Sequence, residues 1–167
     1  MNKIIIGMIS MSALFTSCLK NNDKCTYTII EMSAPTAEKD ALRSYLQSNS
    51  IPFTEDSHGF FYNIVTPGSG AIIANLCSTV TVTYIGRLQN GTIFDQTASG
   101  TQASFQLGNV IYGWQKGLPL IAKSGRILLY LPPSLGYGTV AVKDNSGAVI
   151  IPANSNLFFD ITIANIQ

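Results

Sequence analysis

The chain has 167 residues, 46% of them apolar and only 11% charged, with 10 basic against 9 acidic side chains. A charged fraction under half the usual ~25% and a length close to one domain exclude a wholly disordered chain. The near-neutral balance excludes a basic surface of the kind that grips nucleic acid, and the single histidine, His58, excludes a His-rich metal site.

Residues 1–17 read as a secretory signal: Lys3 supplies a positive start, residues 4–15 are apolar apart from Ser and Gly, and Thr16 and Ser17 lead to Cys18. The apolar run is too short for a bilayer span, which takes ~20 residues. The stretch Leu14-Phe15-Thr16-Ser17-Cys18 resembles a bacterial lipoprotein lipobox, with Phe15 where Leu is usual. That resemblance implies cleavage before Cys18, lipid on its thiol, and attachment to the membrane through this anchor. Residues 18–26 are then a lipidated polar tether. Cys25 and Cys77 share no spacing motif. An oxidising envelope permits their pairing, but they read as unpaired, Cys77 as a small buried residue.

Residues 27–71 form an N-terminal extension with one helix packed on the main domain. Residues 27–32 read as a short strand. After Pro35 a helix of about three turns follows, with Thr36 as its N-cap and Glu38 and Asp40 at its positive start. Leu42, Tyr45 and Leu46 give it one apolar side, and Asn49, Ser50 and Pro52 end it. Residues 60–65 are a strand, closed by Pro-Gly-Ser-Gly at 67–70.

Residues 72–167 are the main domain. Residues 79–88 alternate most clearly, with Val80, Val82, Tyr84 and Leu88 on one face and Thr79, Thr81, Thr83 and Arg87 on the other. Asn90-Gly91 predicts a type I′ hairpin turn, and residues 92–95 return from it. Residues 104–107 are a further short strand. Residues 110–118 are a short helix, and residues 125–131, apolar on both faces, a central strand. Residues 157–166 alternate again, with Leu157, Phe159, Ile161 and Ile163 pointing one way. The expected class is α+β: an antiparallel β-sheet curved around one short α-helix, with an N-terminal helix added.

No GxSxG, Walker A, GxGxxG, HExxH or paired CxxC is present, and nothing calls for a cofactor or a metal. His58 reads as a solvent-exposed turn residue. Asp95 has no partner at a spacing that suits proton transfer. Tyr84, Phe94, Phe105, Trp114, Tyr137 and Phe159 are spread over separate elements. Aromatics in strands are commonly core. Tyr and Trp, however, keep a polar end that must find a partner or an opening, and Tyr137 lies in a loop after a strand. An apolar cleft with few polar groups is the form a binding site takes.

The run VTVTYIGRLQNGTIFD at 80–95 resembles the FKBP-type peptidyl-prolyl isomerases. So do FQLG at 105–108, VIYGW at 110–114, GYG at 136–138, and IIP at 150–152 running to LFFD at 157–160, all in family order. The resemblance implies an FKBP-like fold and isomerisation of X-Pro bonds in exported proteins without covalent, metal or cofactor chemistry. It implies that Trp114 is the pocket floor, that Tyr84, Phe94 and Phe159 are aromatic walls, and that Val110 and Ile111 line one side. The Ile111 N–H and the Tyr137 hydroxyl then donate to bound carbonyls, Ile151 closes a rim, and Asp95 is a hydrogen-bond acceptor. Tyr84, Asp95, Tyr137 and Phe159 are thus the catalytic candidates; Phe94, Val110, Ile111, Trp114 and Ile151 are the substrate-binding ones. Implied partners are proline-containing segments and macrolide-type ligands, and no nucleic acid. The implied place is the bacterial envelope, lipid-anchored at the outer membrane and facing the periplasm.

The chain departs from the family at three points. Ala103 stands where an aromatic is usual, the Gly108-Asn109-Val110 link is short, and residues 140–149 form an insertion with a turn at 144–147. A second reading therefore stays open: a proline-segment binding or chaperone module with little isomerase activity.

Overall fold

The computed structural model describes residues 25–28 and 30–167. The expected signal at 1–17, the expected lipidation site Cys18 and most of the expected tether at 18–26 lie outside the described residues.

Helix α1 (Thr36–Ser48) comes first, followed by β1 (Thr54–Glu55) and β2 (Phe61–Thr66). Strands β3 (Thr79–Leu88), β4 (Ile93–Gln96) and β5 (Ala103–Gln106) precede the short helix α2 (Tyr112–Gly117). Then come β6 (Arg126–Leu131), the small hairpin β7 (Val142–Lys143) and β8 (Val149–Ile151), and β9 (Leu157–Ile166). The main sheet runs β1-β2-β6-β9-β3-β4, with β5 also on β3. Every pairing is antiparallel. Strands β4 and β5 share one edge of β3: β4 takes Ile85 to Arg87, and β5 takes Thr79 to Val82.

Helices cover both faces of the sheet, which is why its centre is apolar on both sides. On one face Trp114 and Leu118 pack with Val80, Val82, Ile127, Leu129, Leu131, Leu157, Phe159, Ile161 and Ile163. On the other, Leu42 and Leu46 of α1 pack with Phe61 and Tyr130, flanked by Leu128 and Phe158. Alternate residues of β6 and β9 thus feed opposite cores. Gly113 lets α2 settle on β6, since a Cβ there would overlap the Leu131 side chain. The extension adds β1 and β2 to the same sheet through the β2–β6 pairing.

Several expectations are corrected. Among the described residues of 27–32 there is no strand: Met32 N–H donates to the Tyr112 hydroxyl and Ala34 N–H to the His58 carbonyl, so these residues are tied down by single contacts and not by a ladder. The N-cap of α1 is Pro35, with no side-chain cap, and Thr36 is already helical. The 88–92 turn is not type I′. Gly91 alone takes a positive φ, +89°, while the Asn90 side chain accepts the Thr92 N–H, giving a three-residue loop. Cys25 and Cys77 are joined in a disulfide, and Cys77 is only half-buried. His58 stands at a turn but is not solvent-exposed: its ring nitrogens meet Asp56 (2.6 Å) and Glu31 (3.1 Å), and its side chain is 24% accessible. Glu31 also pairs with Lys116 of α2, so the arm is clipped to the helix beneath it.

Candidate functional site

Trp114 enters the sheet's inner face from α2 and is 4% exposed. Three aromatic rings meet it nearly perpendicular: Tyr84 at 5.2 Å, Phe159 at 5.2 Å and Phe105 at 5.9 Å between centroids. Edge-to-face contact suits ring quadrupoles, so the cluster is fixed in shape as well as apolar. Phe94 adds a further edge contact to Phe159 at 5.6 Å. That contact needs Gly86, where a Cβ would lie 2.7 Å from Phe94 Cζ and 3.0 Å from Phe159 Cε1.

Above this floor lies a cleft of about 240 Å³. Tyr84, Phe94, Asp95, Val110, Ile111, Trp114, Tyr137 and Phe159 all line it, and so do Phe105 and Asn109. Ile151 is not among the lining residues; it is buried in the core at 3% exposure. Phe105 had a legible signal as an aromatic on a short strand, and Asn109 stood out only as part of the short link that departs from the family.

Each wall has its own support. Val110 and Ile111 leave a 3-10 turn, Leu107–Asn109, and Gln115 of α2 donates back to the Val110 carbonyl at 2.8 Å. The Ile111 N–H precedes α2 and is unused among the described residues. Tyr137 follows a second 3-10 turn, Pro133–Leu135, and is 43% exposed.

The polar groups are few. Tyr84 donates its hydroxyl to Asp95 across the β3–β4 pair. Burial, then that hydrogen bond and the Asp95 charge, push the Tyr84 hydroxyl well above the usual phenol value. Burial and the Asp95 charge push Tyr137 up as well. Both phenols therefore stay protonated donors throughout the neutral range. Trp114 Nε1–H is buried without an acceptor among the described residues. Such a site can hold an apolar ring and a few carbonyls; it has no nucleophile poised beside a base.

The raised phenols also govern stability. A folded-state value above the unfolded one leaves the stabilisation whole below the unfolded value and removes it as pH rises past that value towards the folded one. Urea midpoints are expected to stay level up to the usual phenol value of 10.0 and to fall beyond it. Urea titrations across that pH range, repeated on Tyr84→Phe, check this; the variant's alkaline fall should be shallower.

The family model for FKBP-type peptidyl-prolyl cis-trans isomerase matches residues 70–164. The chain belongs to this family. It is 36% identical over 150 residues to an FKBP-type peptidyl-prolyl cis-trans isomerase FkpA of Buchnera aphidicola subsp. Schizaphis graminum, covering 89% of this chain and 56% of that protein. It is 38% identical over 112 residues to FkpA of Escherichia coli K12, covering 66% of this chain and 39% of that protein. It thus spans about half the length of the curated relatives it matches. The crystal structure of Escherichia coli FkpA is similar with a TM-score of 0.66 and 33% identity, over 78% of this chain and 60% of that one. A peptidyl-prolyl cis-trans isomerase structure from Pseudomonas syringae pv. tomato is similar with a TM-score of 0.65 and 28% identity, over 81% and 98%. These neighbours share the FKBP-like fold, an antiparallel sheet with a short helix; in this chain α1 packs on the other face of that sheet.

Proposed function

We propose that the protein is a peptidyl-prolyl cis-trans isomerase acting on X-Pro bonds of exported proteins, and that the aromatic cleft over Trp114 is its active site. The observation that carries this reading is the rigid, edge-packed aromatic floor beneath a cleft whose few polar groups are protonated donors and one carboxylate. Rotation about an amide bond meets a barrier of ~18–20 kcal/mol. The planar amide is charge-separated and favoured by water; the twisted amide loses that character. A dry aromatic site therefore binds the twisted form better relative to the planar one, which is what lowers a barrier.

In this reading the prolyl ring rests on Trp114, between Tyr84, Phe94 and Phe159. The Ile111 N–H and the Tyr137 hydroxyl donate to substrate carbonyls on either side. Asp95 orients the Tyr84 hydroxyl as its acceptor. Macrolide-type ligands of the family would occupy the same cleft. The lipobox-like Cys18 and the Cys25–Cys77 disulfide support a lipid-anchored protein in an oxidising envelope, at the outer membrane and facing the periplasm.

Exchange spectroscopy on short X-Pro peptides with the full-length protein tests the reading. Uncatalysed exchange takes tens to hundreds of seconds, and the protein should shorten it. Tyr137→Phe removes one hydrogen bond and should lower kcat/KM by roughly 2- to 10-fold. Asp95→Ala should act in the same direction. Unchanged turnover in both folded variants would remove these residues from the mechanism. The second reading is favoured by Ala103, a small residue on β5 where the family has an aromatic. No acceleration together with saturable peptide binding would establish that holding module instead.

A further inference from the structure

We infer that Tyr27 and Glu38, both outside the segment matched by the family model, are positioning residues for the two loops that flank Trp114; this rests on reading the cleft as the proline site. Tyr27 acts on the first loop. Its hydroxyl lies 2.8 Å from Gln106 Oε1 and 2.6 Å from Asn109 Oδ1. Its ring covers Gly108 so closely that a Cβ there would overlap it. The loop is otherwise held by the Leu107 N–H on the Ser78 carbonyl (2.9 Å), the Gly108 N–H on the Leu76 carbonyl (2.7 Å), and Gln115 on the Gly108 and Val110 carbonyls (3.4 and 2.8 Å). None of these contacts reaches the side chain of Asn109, a residue that lines the cleft just before Val110 and Ile111. Tyr27 supplies that contact from outside the domain, and the disulfide two residues earlier keeps it in place.

Glu38 acts on the second loop. From the first turn of α1 its carboxylate accepts the Ser134 N–H at 2.9 Å. Ser134 sits in the 3-10 turn before Tyr137, and the Pro133 carbonyl there accepts the N–H groups of Gly136 and Gly138 at 2.9 and 2.8 Å. A charge-assisted bond to this turn holds the base from which Tyr137 projects. The extension thus contacts the loop that leads to each donor assigned to the substrate, at Gly108 and Asn109 before Ile111 and at Ser134 before Tyr137.

The experiment uses full-length wild type, Tyr27→Phe, Glu38→Ala and Glu38→Gln. Amide hydrogen exchange, melting temperature and X-Pro exchange are measured on each. Tyr27→Phe is expected to speed exchange of the hydrogen-bonded Gly108 and Val110 amides, and Glu38→Ala that of the Ser134 to Gly136 amides, each by about fivefold, as loss of one hydrogen bond implies. kcat/KM should fall by about the same factor, with the melting temperature lowered by no more than about 4 °C, as ~2–4 °C per kcal/mol implies for a chain of this size. Glu38→Gln keeps an acceptor oxygen and should recover most of the loss. The proposal is overturned if each loop exchanges as in wild type, or if both loops respond alike to either variant alongside a general loss of stability. A wild type that fails to accelerate X-Pro exchange would refute the isomerase reading alone. The loop-by-loop amide exchange would still decide the positioning roles.

Discussion

A Trp114→Ala protein is expected to lose about 3–5 kcal/mol of folding stability, the range for truncating a buried tryptophan, and to bind proline peptides more than about tenfold more weakly. The two losses have one cause. Trp114 is the common neighbour of Tyr84, Phe105 and Phe159, so its removal opens an apolar void where three rings converge. Those rings can collapse only by abandoning the geometry that shapes the cleft. A tenfold change in affinity corresponds to ~1.4 kcal/mol, less than the apolar contact a prolyl ring would forfeit without its floor. Trp114→Phe separates the effects. It keeps an aromatic plate and deletes an indole N–H that has no acceptor among the described residues, so its stability should lie much closer to wild type. Urea denaturation and titration with an X-Pro peptide read both quantities. A folded Trp114→Ala protein with wild-type peptide affinity would place the proline site elsewhere.

What could be read from the sequence follows from the range of the forces involved. Strands β3 and β9 run over the residues that alternation predicts, Thr79–Leu88 and Leu157–Ile166. Period-2 burial is a local pattern, and both strands lie inside the sheet. The two-sided apolar character of β6 was also legible, because α1 and α2 cover opposite faces of it. The misses are tertiary. Cys25 and Cys77 lie 52 residues apart, and no spacing rule connects them. His58 takes its partner Glu31 from an arm 27 residues earlier. The 88–92 turn departs from type I′ because Gly91 alone takes a positive φ and the Asn90 side chain accepts the Thr92 N–H. In the cleft, the aromatic lining was visible as large residues at strand positions. Asn109 was legible only as part of the short 108–110 link, since its place in the cleft depends on how the Leu107–Asn109 turn sits beneath Tyr27. Ile151 was assigned to a rim on the strength of resemblance alone; it pairs with Val142 and is 3% exposed.

Replacing Cys25 and Cys77 together by serine is expected to cost about 2–4 kcal/mol. The bond joins residues 52 apart, and the entropy of closing such a loop in the unfolded chain gives about 4 kcal/mol as the upper figure. The lower figure reflects where the loss is felt. The arm at 25–34 is held mainly by surface contacts: the Glu31–Lys116 pair, the Met32 and Ala34 amides, and the Tyr27 hydroxyl. Exposed ion pairs contribute ~1 kcal/mol at most, so without the disulfide this arm opens before the sheet does. Part of the stabilisation then appears as local fraying and not as global unfolding. The full-length double variant should melt on the order of 10 °C lower, as ~2–4 °C per kcal/mol implies for a chain of this size. Its residue 25–34 amides should exchange faster still, and the Asn109 loop should loosen with them because Tyr27 has lost its anchor. Wild type treated with a reducing agent should reproduce the variant. Equal urea midpoints for oxidised and reduced protein would mean that the arm holds itself in place and that the disulfide adds nothing to it.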